Sequence, residues 1–152
     1  MGSQYCQPAD LTLTGINPVA FQDVSLPEQT AGCQQASELA DSWGLRGRYG
    51  NNSPILLAWG QDVTIQCAKV AVYLILTARG MNPSAGADSQ IETNYKEARE
   101  WFMGIGRQNV HPDVTPNVAI GQNSGADLPQ VQTSQQRGWL TSSPQGKPTV
   151  GW

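Results

Sequence analysis

Residues Gln61 to Arg79 read QDVTIQCAKVAVYLILTAR, a stretch with no glycine or proline and apolar at most positions. Val63, Cys67, Val70, Leu74 and Thr77–Ala78 recur at steps of four and three. Ile65, Ala68, Val72 and Ile75–Leu76 form a second stripe beside the first, and both follow the period of a helix. Two apolar stripes mean that other elements wrap this helix. Arg79 can meet the negative end of the helix dipole, Gly80 suits a left-handed cap and Pro83 forbids continuation. The β-branched run Val70 to Leu76 would also suit a buried strand; length and caps favour helix. Lys69 and Arg79 bracket an apolar run short of the ~20 residues a bilayer needs.

Working outward, Ser25-x-x-Glu28 is a capping box with Pro27 in the first turn, so a helix is expected from there. Ala36, Leu39, Ala40 and Trp43 lie at i, i+3, i+4 and i+7 and form its packing face, with Gln34, Gln35, Glu38 and Asp41 turned away. Gly44 and Gly47 are expected to end it, and Arg46, Arg48 and Tyr49 to lead into the turn Gly50 to Pro54. Ser53-Pro54 reads as cap plus first position of a short apolar turn, Ile55 to Trp59, before the central helix. Nearer the start, Tyr5 to Leu11 (YCQPADL) holds Pro8 where a one- to two-turn helix tolerates it, capped by Cys6 or Gln7. Leu11 to Val24 reads as loop with one further turn around Val19 to Phe21.

Past the central helix, Ser89-x-x-Glu92 is a second capping box. Ile91, Tyr95, Ala98, Phe102 and Ile105 follow at four, three, four and three, the most regular amphipathic helix in the chain. Glu92 and Lys96 stand at i,i+4 in the favourable order, and Gly104 and Gly106 are expected to mark the end. The candidate core is therefore Leu39, Trp43, Val63, Cys67, Val70, Leu74, Tyr95 and Phe102. Val110 to Trp152 is different, with five prolines, five glycines, four charged residues and no helical period. Residues 1–109 are read as the helical domain and 110–152 as an extended C-terminal arm. The arm carries large apolar groups that suit docking on another chain, so Val131, Arg137, Trp139, Leu140, Val150 and Trp152 are the candidate partner-binding residues.

The formal net charge of −3, with no basic patch, disfavours a protein that grips nucleic acid by its phosphates. No n-region and h-region open the sequence and Cys6 stands where a myristoylation signal has Ser or Thr, so an intracellular protein is expected. Cys6, Cys33 and Cys67 are widely spaced, without a C-x-x-C, and the chain has one histidine. No metal or other cofactor is expected from that set. Cys33 and Cys67 read as small apolar core residues, whereas Cys6 is open to either reading. A Cys–His111 pair would need assembly by a distant loop, and Glu92, Glu97 and Glu100 suit a solvated helix face or a subunit contact more than acid–base work. With no Walker loop, HExxH or GxSxG, no catalytic residue is assigned and the chain is not read as an enzyme.

YCQPADL, the A-x-x-LA-x-x-W helix of Ala36 to Trp43, GRY at Gly47 to Tyr49, AKVAVYLIL at Ala68 to Leu76 and YKEAREWFMGIG at Tyr95 to Gly106 together resemble a known family. It is the Mu-like phage and prophage family of small neck proteins, the head-tail joining or adaptor proteins beneath the portal. The likeness runs from about Tyr5 to Gly106, with a further segment at Gln130 to Trp139. The chain departs from the pattern in its Gln-, Asn- and Gly-rich loops and its added Ser142 to Trp152 tail.

The resemblance implies a mainly α fold, a bundle of about four helices with the arm attached, and no catalytic site. It also implies a homo-oligomeric ring, a dodecamer, between the portal protein and a tail-proximal neck or stopper protein. Genomic DNA would pass through the lumen without specific binding, and no membrane is involved. The expected location is the virion neck, after synthesis in the host bacterial cytoplasm. A mildly acidic ring suits a channel through which DNA slides. The alternatives are a small intracellular module that docks a partner through its C-terminal arm, and a cysteine-dependent enzyme.

Overall fold

A computed structural model describes residues 3–81 and 88–118. The fold is mainly helical. Among the described residues four α-helices occur: α1 (Leu26–Ala40), α2 (Arg46–Tyr49), α3 (Gln61–Ala78) and α4 (Asp88–Gly106). A short antiparallel pair joins β1 (Leu56–Trp59) to β2 (Val114–Pro116), with Leu56 opposite Pro116 and Trp59 opposite Val114. Two 3₁₀ helices, Pro8–Thr14 and Pro18–Phe21, precede α1.

The central helix lies where its sequence places it. Val63, Cys67, Ala68, Val70, Ala71, Val72 and Ile75 are buried, and α1, α4 and the first 3₁₀ helix pack on it. Its end is a Schellman motif: Met81 N–H donates to the Leu76 carbonyl and Gly80 N–H to that of Thr77, with Gly80 at φ +92°. Asp62 in its first turn accepts from Val63 N at 2.9 Å and from Asp113 N at 3.3 Å, which ties the approach to β2 to the positive end of α3. Ser25 and Glu28 form the expected capping box of α1, and Lys96 meets Glu92 at 3.3 Å on α4.

Several expectations are corrected. The Ser25 helix does not stop at Gly44. It continues through a π turn, Asp41–Leu45, in which Arg46 N–H reaches back to the Asp41 carbonyl, and on through α2 to Tyr49. Gly44 has another use, because a Cβ there would run into the Phe102 carbonyl of α4. Gly106 lies against the Gly44 backbone in the same crossing, and a Cβ on Gly104 would meet the Val110 side chain. α4 itself ends at Gly106, as expected, and Gln108 at φ +63° follows, with Asn109 N–H donating to the Gly104 carbonyl.

Ile55 to Trp59 is not a helical turn. Ser53–Pro54 is cis and the segment runs on as β1. Its partner β2 falls within residues expected to begin the arm. Of the eight candidate core residues, Val63, Cys67, Val70 and Phe102 are buried, whereas Leu39, Trp43, Leu74 and Tyr95 are half-buried against the core. On α3 and α4 Val63, Cys67, Val70, Ile91, Ala98, Phe102 and Ile105 are buried as expected, and the correction falls mainly on α1. Gly32, Cys33, Ala36, Ser37 and Ala40 form the inner face of α1, and Asp41, expected to face solvent, lies buried beside them.

Candidate functional site

The first two turns of chain build a polar corner inside the bundle. Gln7 and Asp10 cap the Pro8–Thr14 helix reciprocally, and this fixes the preceding residues against α1 and α3. Tyr5 is buried, with its backbone N–H donating to Ser37 Oγ at 2.9 Å and its hydroxyl to Asp41 Oδ1 at 2.5 Å. Its ring meets Trp59 edge-on at 4.9 Å. Ser37 Oγ in turn donates to the Cys33 carbonyl at 2.9 Å, the previous turn of α1. A serine and an aspartate can therefore sit on the inner face of a helix, because each is met by a hydrogen-bond partner.

The same corner gathers all three cysteines, each a free thiol and each buried. Cys6 Sγ donates toward Cys67 Sγ at 3.4 Å, and Ser37 Oγ lies 3.5 Å from Cys67 Sγ. Hydrogen bonding to Cys33 and Cys67, added to burial, pushes the Cys6 thiol far above the ordinary range, so Cys6 keeps its proton. Burial raises the Asp41 carboxyl, partly offset by the Tyr5 hydroxyl it accepts. Burial also raises the Tyr5 hydroxyl. Among the described residues no group of three His, Cys, Asp or Glu side chains is placed to hold a metal ion.

Other positions on the bundle carry half-buried apolar groups. Tyr73 of α3 and Tyr95 of α4 stack with centroids 4.0 Å apart, and Trp43 of the π turn meets Tyr95 edge-on at 6.0 Å. Arg99 lies over the Trp43 ring at 5.9 Å. Beside them Leu39 and Leu74 border a groove between α1 and α3, a cavity of about 360 Å³ edged by Gln35 and Glu38. A neighbouring hollow of about 220 Å³ continues along the same two helices to Glu28 and Arg79, which pair at 3.9 Å. Elsewhere Leu26 (65%), Val19 (60%), Leu57 (60%) and Leu13 (46%) are exposed.

His111 is exposed and is not among the groups gathered at the polar corner. Glu97 and Glu100 are exposed and Glu92 is half-buried. Glu100 pairs with Arg107 at 3.4 Å. Val131, Arg137, Trp139, Leu140, Val150 and Trp152 lie outside the described residues. Sequence reasoning missed the corner because Tyr5, Ser37 and Asp41 are polar positions on a pattern read for apolar period. Their one sequence signal is the i, i+4, i+8 spacing of Cys33, Ser37 and Asp41, one face of a helix. No protein-family model, curated protein or solved structure matches the chain.

Proposed function

We propose that this chain is a structural connector of a phage virion, a non-enzymatic adaptor that forms a homo-oligomeric ring between portal and tail-proximal proteins. The resemblance in sequence supplies that identity. The supporting structural observation is the placement of Leu13, Val19, Leu26 and Leu57 on the surface of an otherwise well-packed helical unit. Large exposed apolar side chains, together with the half-open Trp43–Tyr73–Tyr95 face, are what a subunit leaves uncovered when its neighbours cover it. A described unit of little over a hundred residues buries a modest core, and intersubunit contact would add to it. The C-terminal residues from Val131 to Trp152 would dock on the neighbouring subunit or the portal.

The deciding experiment is electron microscopy of the purified chain, alone and mixed with its portal protein, alongside sedimentation of each sample. A closed ring seated on the portal is the expected result. A chain that stays monomeric and binds no portal overturns the assignment, and the reading as a free protein-binding module then takes its place. Among the described residues no helix is long and apolar enough to cross a membrane.

A further inference from the structure

The polar corner brings together thiols from three separate parts of the chain: Cys6 on the segment before the first helix, Cys33 on α1 and Cys67 midway along α3. Exposure of each is 1% or less. Cys6 and Cys67 have their sulfurs in contact at 3.4 Å, although 61 positions separate them in sequence. A disulfide needs the two sulfurs at ~2.05 Å, so the pair has a little over an ångström to close.

We propose that Cys6 and Cys67 form an oxidant-responsive pair that closes as a disulfide under a peroxide and staples the N-terminal segment to the middle of α3. The Cys67 sulfur, releasing its proton, attacks a peroxide oxygen. The O–O bond breaks, the leaving hydroxide takes up that proton as water, and the sulfur becomes a sulfenic acid. The second sulfur then attacks the first, the S–O bond breaks, and the oxygen leaves with the second thiol's proton as another water. Two thiols have lost two electrons and one peroxide has gained them.

Access comes from the segment itself. Ser3 to Gln7 belongs to no helix or strand. It is held through Tyr5 to Ser37, Asp41 and Trp59, and access requires it to lift as a local unit while α1 and α3 stay packed. Opening admits a water-sized oxidant. Closure of the disulfide then removes that opening, and the cross-link encloses α1, α2 and β1 in one covalent loop. The chemistry is independent of any subunit contact.

The test uses the full chain, reduced, freed of reductant and exposed to hydrogen peroxide, then alkylated after unfolding and peptide-mapped without reduction. A Cys6–Cys67 linked peptide as the main product is expected, with Cys33 alkylated. The melting temperature should rise by about 10 °C and return on reduction. Cys33→Ser should keep the cross-link, and Cys6→Ser should lose both cross-link and thermal shift. The proposal is overturned if the main cross-link contains Cys33, if it joins two chains, or if the thiols survive peroxide in the folded protein. The unmodified chain's peptide map decides even where a variant folds poorly.

Discussion

Helices α1 and α3 show opposite habits at different positions. Where Tyr5 and Cys6 meet them, these helices and the π turn bury a serine, an aspartate and two thiols; at other positions they leave Leu39, Leu74 and Tyr73 half open. Polarity of the side chain alone would put each set on the wrong side. What decides is whether a partner is available. The Tyr5 hydroxyl and backbone amide meet Asp41 and Ser37, so the cost of taking those groups from water is offset. The outer leucines and aromatics have nothing in the described chain that covers them fully.

The sharpest way to break this comparison is to place a charge at a fully buried and at a half-open position of α3. Val70→Lys puts an ammonium where the side chain is fully buried. It should cost about 3–5 kcal/mol, enough to abolish a cooperative thermal transition.

The next largest effect belongs to the polar corner. Tyr5→Phe leaves the buried Asp41 carboxyl without its donor and should cost about 1–3 kcal/mol in a denaturant titration. Asp41 also gives a sign that can be checked. Burial raises its folded-state carboxyl above the unfolded value, so between the two values the folded chain binds more protons. Stability should therefore fall as pH rises through that window. Tyr5→Phe removes the bond that holds the carboxyl down and should extend the fall to higher pH, whereas Asp41→Asn should flatten it. A stability that climbs across the same window in the parent chain would contradict a buried, raised Asp41.

Leu74→Lys is the smallest of the three. The half-open position lets the lysine stem lie along the groove with its charge in water, so about 1 kcal/mol or less is expected. Under the ring proposal the same substitution should weaken self-association, measured by sedimentation, while the melting temperature barely moves.

Much of the bundle was legible from spacing and caps. Gln61 to Ala78, the Ser25–Glu28 box and the Ile91–Ala98–Phe102–Ile105 stripe needed only local rules. Two kinds of feature escaped them. Glycines were read as stops, yet Gly44, Gly104 and Gly106 serve close approach, and only the neighbour's position distinguishes the two uses. β1 was missed because its partner lies more than fifty residues on, and four residues carry no period of their own. The corner was half visible: Cys33 and Cys67 were placed in the core, but the arrival of Tyr5 and Cys6 beside them is a tertiary event.

The π turn at Asp41–Leu45 has a consequence for comparing sequences of this fold. A π turn holds one residue more than the α-helix around it, so a chain lacking the exposed Ser42 could run straight from α1 into α2 with Gly44 still facing Phe102. Length differences between such chains would then fall in the middle of a helix. An alignment that admits gaps only in loops would shift Trp43, Gly44 and everything after them by one position, and would hide the glycine contact that fixes α4.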